Sequence, residues 1–166
     1  QMLSIQKGSP LDTATIRDIA YRTWPVTYGE IVPAAQLEYM LALFYSDEAL
    51  IAQMEEKGHQ FILVKENETV LGFASYEHHY LGQNTTRLHK IYLVPESQGK
   101  GAGKLLIDSV VKAATENQSD VVSLNVNRFN TAVTFYQKMG FVIVGEEDVA
   151  LDHGYLMEDY KMEFKI

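Results

Sequence analysis

Gly99, Gly101 and Gly103 stand together in the stretch Val94-Pro95-Glu96-Ser97-Gln98-Gly99-Lys100-Gly101-Ala102-Gly103-Lys104. No other feature constrains the fold as tightly. Upstream, Leu88–Val94 reads as a strand that Pro95 stops. Downstream, Leu106, Val110 and Ala113 fall in helical register over about Gly103 to Asn117. A strand that enters a helix through three glycines uses backbone angles and close approaches that a Cβ forbids. Several N–H groups at the start of such a helix lack partners and point outward, where the helix dipole favours an anion. Lys100 and Lys104 add positive charge there. The segment is either a phosphate cradle or a tight turn with two solvated lysines.

Two common phosphate motifs fail at this site. A P-loop places Gly-Lys-Ser/Thr after a first Gly and four residues; here Leu105 follows Gly103-Lys104, and Gln98 stands at the position of the first Gly. The dinucleotide fingerprint needs Gly-x-Gly-x-x-Gly in the first βαβ unit, whereas these glycines are evenly spaced and lie deep in the chain. ATP and NAD binding of those kinds are therefore excluded.

The remaining periodicity defines the neighbours of the turn. Asp12 or Thr13 can cap a first helix with Ile16, Ile19, Ala20, Thr23 and Trp24 on one face, and Pro25 is expected to end it. A second helix opens near Pro33 with Leu37, Met40, Leu41 and Phe44 on a stripe. Ser46 or Asp47 caps a third, which carries Leu50, Ile51 and Met54 and closes at Gly58. Strands follow at Phe61–Lys65 and Thr69–Tyr80, joined by a turn at Glu66, Asn67 and Glu68. The loop Leu81–Thr86 leads to the strand before the glycines. Beyond the helix come a strand at Val121–Val126, a helix at Thr131–Met139 capped by Gly140, and strands at Phe141–Glu147 and Tyr155–Phe164. The second of these is reached through the turn Asp152, His153, Gly154. This order implies an α/β (mixed α+β) fold, a central twisted mixed sheet of about six or seven strands flanked by helices.

Size and charge bound what such a fold can do. At 166 residues, one domain over 1–166 is expected, with about 70% of the unfolded surface buried. There is no Cys, which excludes disulfides, Cys-ligated zinc and a thiol nucleophile and fits a reducing, cytoplasmic compartment. Fourteen Lys and Arg against 22 Asp and Glu give a net charge of −8, which repels nucleic acid and anionic lipid and welcomes a cationic ligand. Gln1–Pro10 lacks the apolar core of a secretory leader, and no apolar run approaches the roughly 18 residues of a spanning helix. Neither nucleic acid nor membrane is an expected partner. His78-His79 suggests a metal only until the strand pleat is considered: neighbouring residues face opposite ways and cannot share one ion, so no metal is expected.

Gln98, Gly101 and Gly103 satisfy the pattern Gln-x-x-Gly-x-Gly. About 30 residues on, Asn127-Arg128-Phe129-Asn130-Thr131-Ala132-Val133-Thr134-Phe135-Tyr136 precedes Gly140-Phe141. In this order, with a strand between them, the two stretches resemble the signatures of the GNAT superfamily of N-acetyltransferases. The likeness runs from about Phe61 to Phe141.

The resemblance implies acetyl-CoA, or a close acyl-CoA, as co-substrate. Its pyrophosphate would rest on the amides from Gly99 through Lys100, Gly101, Ala102 and Gly103 to Lys104, with Gln98 shaping the turn. It also implies that the strand before the turn splays from the next one, so that the pantetheine arm pairs with main-chain groups of Ile91 and Leu93, as in strand addition. Asn127 and Asn130 are both candidates for a cofactor contact, because Asn130 precedes Ala132 by two residues where the family usually has three. Tyr136 matches the family's donor to the leaving thiolate.

An alkyl ammonium must also lose a proton before it attacks. His89, and after it Glu77, are the candidate bases on the strands next to the turn. On the acceptor side, the connector holding Trp24, Tyr28 and Glu30 is a candidate binding element, although Trp24 also reads as a core anchor. Glu146, Glu147, Asp148, Glu158 and Asp159 would favour a polyamine or lysine-like amine if they line the groove, and form a solvated face otherwise. The pattern resembles polyamine-type acetyltransferases of bacteria. The expected function is N-acetyl transfer to the primary amine of a small molecule or peptide, by direct attack in a ternary complex. A non-catalytic acyl-CoA-binding or interaction module on the same fold is the alternative, and a homodimer is left open.

Overall fold

The computed structural model describes residues 2–166 and arranges seven strands and five helices along the chain. They are β1 (Leu3–Lys7), α1 (Thr13–Tyr28), α2 (Ala34–Tyr45), α3 (Asp47–Glu55), β2 (Gln60–Glu66), β3 (Thr69–Glu77), β4 (Thr85–Leu93), α4 (Ala102–Glu116), β5 (Val121–Asn127), α5 (Ala132–Lys138), β6 (Val142–Ala150) and β7 (Leu156–Lys165). The strands form one mixed sheet in the order β1-β2-β3-β4-β5-β7-β6. Only β4 and β5 run parallel; every other neighbouring pair is antiparallel.

Local sequence explains most of the boundaries. Before α1, the Ser9 side chain accepts from the Leu11 amide while Asp12 Oδ2 takes the Ser9 amide at 2.8 Å, a capping box. Ser46 caps α3 by accepting from Ala49 N at 3.1 Å. Helix α1 buries Ile16, Ile19, Ala20, Thr23 and Trp24, the face set by its apolar spacing. Helix α4 buries Leu106, Val110 and Ala114, so Ala114 rather than Ala113 completes its stripe.

Several boundaries differ from expectation: β3 stops at Glu77 rather than Tyr80, β4 starts at Thr85 rather than Leu88, and three further differences bear on how the chain packs. Helix α1 runs through Pro25 to Tyr28, and Gly29 N bonds Pro25 O at 2.9 Å. Proline forfeits one donor in the last turn, and burial of Trp24 and Tyr28 against the core outweighs that loss. The leading segment supplies β1, an edge strand paired with β2 from Leu3↔Glu66 to Lys7↔Ile62; Leu3 and Ile5 alternate with Ser4 and Gln6, a period-two pattern only two apolar residues long. Strand β6 extends to Ala150, three residues past the expected end, because β7 offers partners as far as Ala150↔Leu156.

The sheet is not closed along its whole length. Strands β4 and β5 pair only at Thr85↔Val121, Thr86↔Val122 and Arg87↔Ser123. Beyond those rungs β4 continues to Leu93, paired with β3 alone, and β5 continues to Asn127, paired with β7 alone. On the β3 side, Ser75 pairs with Lys90 and Tyr76 with Leu88, which leaves His89 as the extra residue of a β-bulge. Bulges bend the strand that carries them. The bend coincides with the end of β4–β5 pairing, and a wedge opens inside the sheet.

Candidate active site

The wedge leads into a cavity of about 800 Å³. Its walls are β4 from Leu88 to Leu93, β5 from Leu124 to Asn127, the α5 segment from Phe129 to Tyr136, and the helical side with Trp24, Tyr28 and Glu30. Of the sequence candidates, His89, Ile91, Leu93, Asn127, Asn130, Tyr136, Trp24, Tyr28 and Glu30 all line this one space. Glu77 does not; it stands behind His89.

The glycine turn lies outside the cavity wall, at the start of α4. Gly99 and Gly101 have φ of 82° and 79°, the left-handed region that other residues enter only with strain. The amides of Gly99, Gly101, Ala102, Gly103 and Lys104 make no backbone hydrogen bond among the described residues, whereas Lys100 N bonds Ser97 O. A Cβ on Gly103 would stand 3.1 Å from both Leu93 Cδ1 and Phe135 Cζ, so this glycine lets α4 and α5 close on β4. The two lysines are already engaged: Lys100 Nζ meets Glu66 Oε2 at 3.1 Å, and Lys104 Nζ meets Asp108 Oδ2 at 2.7 Å. An anion held at this turn would therefore rest on main-chain donors.

Across the gap, Tyr136 is 7% exposed, and its ring packs against Phe135 and Phe141. Burial, with Tyr28 nearby, raises its hydroxyl above the ordinary range, so it stays protonated and able to donate. Asn127 Oδ1 accepts from Phe129 N at 3.0 Å and Asn130 Oδ1 from Ala132 N at 2.8 Å, so both asparagines shape the approach to α5. Trp24 contacts Tyr28, Phe44, Tyr45 and Tyr92, and Tyr28 Oη shares a 2.9 Å hydrogen bond with Tyr92 Oη. Trp24 is thus a core anchor and a cavity wall at once. Glu30 is exposed, at the lip.

His89 Nε2 lies 2.8 Å from Glu77 Oε1, and His59 Nε2 lies 3.5 Å from the same oxygen. The two imidazoles stack with centroids 4.0 Å apart. Burial is the main reason His89 is pushed down to about 3, with Lys90 and Arg87 adding to it. His59 is likewise lowered to about 4, chiefly by burial and then by His89. Both rings are neutral at pH 7. A carboxylate oxygen can only accept, so His89 donates Nε2–H to Glu77 and keeps its lone pair on Nδ1. Three converging donors could take a divalent ion, but Lys57, Lys90 and Arg87 lie close enough to act on the histidines and oppose added positive charge. Tautomer control fits the cluster better. His78 and His79 do not converge: His78 Nδ1 bonds Thr86 Oγ1 at 2.8 Å, and His79 sits at φ 53°.

Sequence reasoning passed over His59, Lys90 and Tyr92 and left Asp159 undecided. Period-two alternation with Phe61 and Leu63 would have put His59 on the face it occupies. Lys90 is buried, which lowers it to about 8, and it bonds Gln53 Oε1 at 2.7 Å beneath the Tyr45 and Phe61 rings. Most of the acidic residues near the C-terminus are accounted for by Arg128, which bonds Glu146 and Asp148 and lies 3.6 Å from Glu158. Asp159 is different: it is buried and lines the cavity.

A mixed sheet wedged open between its parallel strands, with a glycine turn beside the gap, defines a class. Residues 32–164 match the family described as "Acetyltransferase (GNAT) domain", and the chain belongs to that family. It is an N-acetyltransferase, an acyltransferase enzyme, which displaces the non-catalytic module. A spermidine N(1)-acetyltransferase from Thermoplasma acidophilum is 27% identical over 146 residues, 85% of this chain and 89% of the relative. YuaI of Bacillus subtilis, an uncharacterized N-acetyltransferase, is 27% identical over 154 residues, 89% of this chain and 84% of the relative. Among solved structures, the PaiA N-acetyltransferase of Thermoplasma acidophilum in complex with coenzyme A has a TM-score of 0.82 at 26% identity, each chain covered fully. No helix among the described residues is long and apolar enough to cross a membrane.

Proposed function

We propose that this enzyme transfers an acetyl group from acetyl-CoA to the primary amine of a small molecule or peptide, by direct attack within a ternary complex. The observation that carries the proposal is the unpaired edge of β4 beyond Arg87, facing Tyr136 across the cavity. An extended pantetheine arm can pair with main-chain groups of Ile91 and Leu93 there, as an added strand would. The fit extends to the turn, where the amides of Gly99 and of Gly101 to Lys104 lack backbone partners and suit a diphosphate, while Gln98 N bonds Pro95 O within the loop. A solved relative with coenzyme A bound supports the choice of cofactor. Relatives named for spermidine and for peptidyl-lysine support an amine acceptor.

The thioester supplies an activated acyl carbon, and the amine nitrogen forms the C–N bond as the C–S bond breaks. An amide on the open β4 edge can stabilise the oxyanion. Tyr136 donates a hydrogen bond to the developing thiolate. His89 accepts on Nδ1 the proton that the attacking nitrogen sheds as the C–N bond forms, with Glu77 2.8 Å behind it to balance the imidazolium charge. A ring held at about 3 is too weak to deprotonate a free alkyl ammonium, so the amine reaches it neutral and the ring passes the proton on to solvent.

The test is release of free thiol from acetyl-CoA with polyamines, amino acids, aminoglycosides and peptide amines, alongside thermal shifts with CoA, ATP and NAD. Turnover with at least one amine and stabilisation by CoA compounds are expected. Stabilisation by ATP or NAD alone, or no turnover with any amine, would overturn the proposal.

A further inference from the structure

Asp159 projects from β7, with Asn127 as its partner on β5 and Glu147 as its partner on β6. Like charges directly opposite on neighbouring strands repel, and Asp159 is only 7% exposed to the water that would screen them. Its surroundings do little to compensate. Asn125 Nδ2 reaches Asp159 Oδ2 at a long 3.4 Å and spends its better bond, 3.0 Å, on Glu147 Oε1. Asp159 Oδ1 is buried with no partner. Arg87 and Arg128 are near enough to feel the charge, but neither makes an ion pair with it among the described residues. Arg87 bonds Ser123 Oγ and covers the Tyr80 ring, while Arg128 is taken up by Glu146, Asp148 and Glu158. Burial accordingly raises the carboxyl, and Glu147 adds to the shift.

A buried carboxylate with an idle oxygen in a cavity wall is costly, and a cation with spare donors removes the cost. The cavity is shaped for such a cation. Trp24, Tyr28, Tyr45 and Tyr92 are among its lining residues, an aromatic surround that suits an alkylammonium. The amine under attack is a poor match, because an adjacent carboxylate would stabilise its protonated, unreactive form. An ammonium that does not react is a good one.

We infer that Asp159 anchors a second, non-reacting ammonium of the acceptor, which makes the acceptor a di- or polyamine rather than a monoamine. The inference rests on the acetyl-transfer reading above and names the acceptor class of that same cavity. Asp159 sets the distance from anchored ammonium to thioester, and with it the chain length that fits.

The experiment is acetyl-CoA turnover with 1,3-diaminopropane, 1,4-diaminobutane, spermidine and butylamine by the wild type, Asp159→Asn and Asp159→Glu. In the wild type, the best diamine is expected to exceed butylamine in kcat/KM by about 30-fold or more. Asp159→Asn should remove that advantage by raising the diamine KM at least about tenfold more than it changes the butylamine KM or the KM for acetyl-CoA. Asp159→Glu moves the charge one methylene further out and should shorten the preferred diamine; it carries the test if the Asn variant does not fold. Equal use of diamine and monoamine by the wild type, a diamine advantage that survives Asp159→Asn, or an unchanged length preference in Asp159→Glu overturns the inference while acetyl transfer stands. If no amine turns over, acetyl transfer fails instead. Calorimetric titration of the CoA-saturated wild type with 1,4-diaminobutane and butylamine then decides the anchor alone: tighter diamine binding supports it and equal binding overturns it.

Discussion

Tyr136 carries two properties that a sequence shows separately and a structure joins. Its spacing before Gly140-Phe141 is legible in the chain, but its burial opposite the free edge of β4 follows from how α5 docks. On the proposed reading its hydroxyl donates to a charge that appears only as the C–S bond breaks, so Tyr136→Phe should lower kcat by about 10²-fold and leave the KM for acetyl-CoA within about twofold. Initial-rate kinetics with either substrate varied checks this. The pair His89 and Glu77 was likewise legible as two candidate bases, but not as a bonded unit. The bulge that turns His89 toward Glu77 is a property of β3–β4 register, which no single strand reveals. His59 and His89 are lowered to about 4 and about 3, below their ordinary 6.5. Below pH 6.5 the unfolded chain takes protons that the folded rings refuse, so this share of stability is full above 6.5 and is lost as pH falls toward 4 and then 3. His59→Phe keeps an aromatic against His89 and removes one such group. Its melting temperature should fall less than that of the wild type between about pH 7 and about pH 4.5, and parallel curves would contradict the assignment.

At the scale of elements, the glycine turn shows what local sequence can and cannot say. Three glycines before a helix announce free amides, and the free amides are there. The lysines beside them looked equally suited to a phosphate, yet Glu66 and Asp108 hold them. The Glu66 contact joins residues 34 apart in sequence and is invisible to any window on the turn. The glycines also divide by duty. Gly101 has φ of 79°, and a Cβ added there would meet nothing within 4 Å. Gly101→Ala should therefore cost only the strain of that angle, about 1–2 kcal/mol, and spare the packing. Gly103→Val instead drives a side chain into Leu93 and Phe135, each 3.1 Å from the Cβ. It should loosen CoA binding by tenfold or more, where Gly101→Ala loosens it less. Calorimetric Kd values with melting curves of both variants separate the two roles. Helix α1 teaches the converse: Pro25 is a sound local stop signal that tertiary burial of Tyr28 overrides.

The whole molecule is a sheet opened from within. Alternating apolar periods, crossover order and turn chemistry made six of the seven strands and all five helices readable. The splay was not, because it depends on which of two neighbours each strand keeps. After Arg87, β4 stays with β3; after Ser123, β5 stays with β7. Everything proposed for the chemistry follows from that parting, which leaves main-chain groups of β4 unmatched beside a cavity that Tyr136, His89 and Asp159 share. The net charge of −8 suits a cationic acceptor at long range, and Asp159 is the charge proposed to meet it inside. A crystal structure of the enzyme with coenzyme A tests the central claim most directly. It should show the pantetheine arm lying between β4 and β5, bonded to the main chain of Ile91 and Leu93, with the diphosphate on the amides of Gly99 to Lys104. A cofactor bound elsewhere, or β4 and β5 closed upon each other past Arg87 and Ser123, would contradict it.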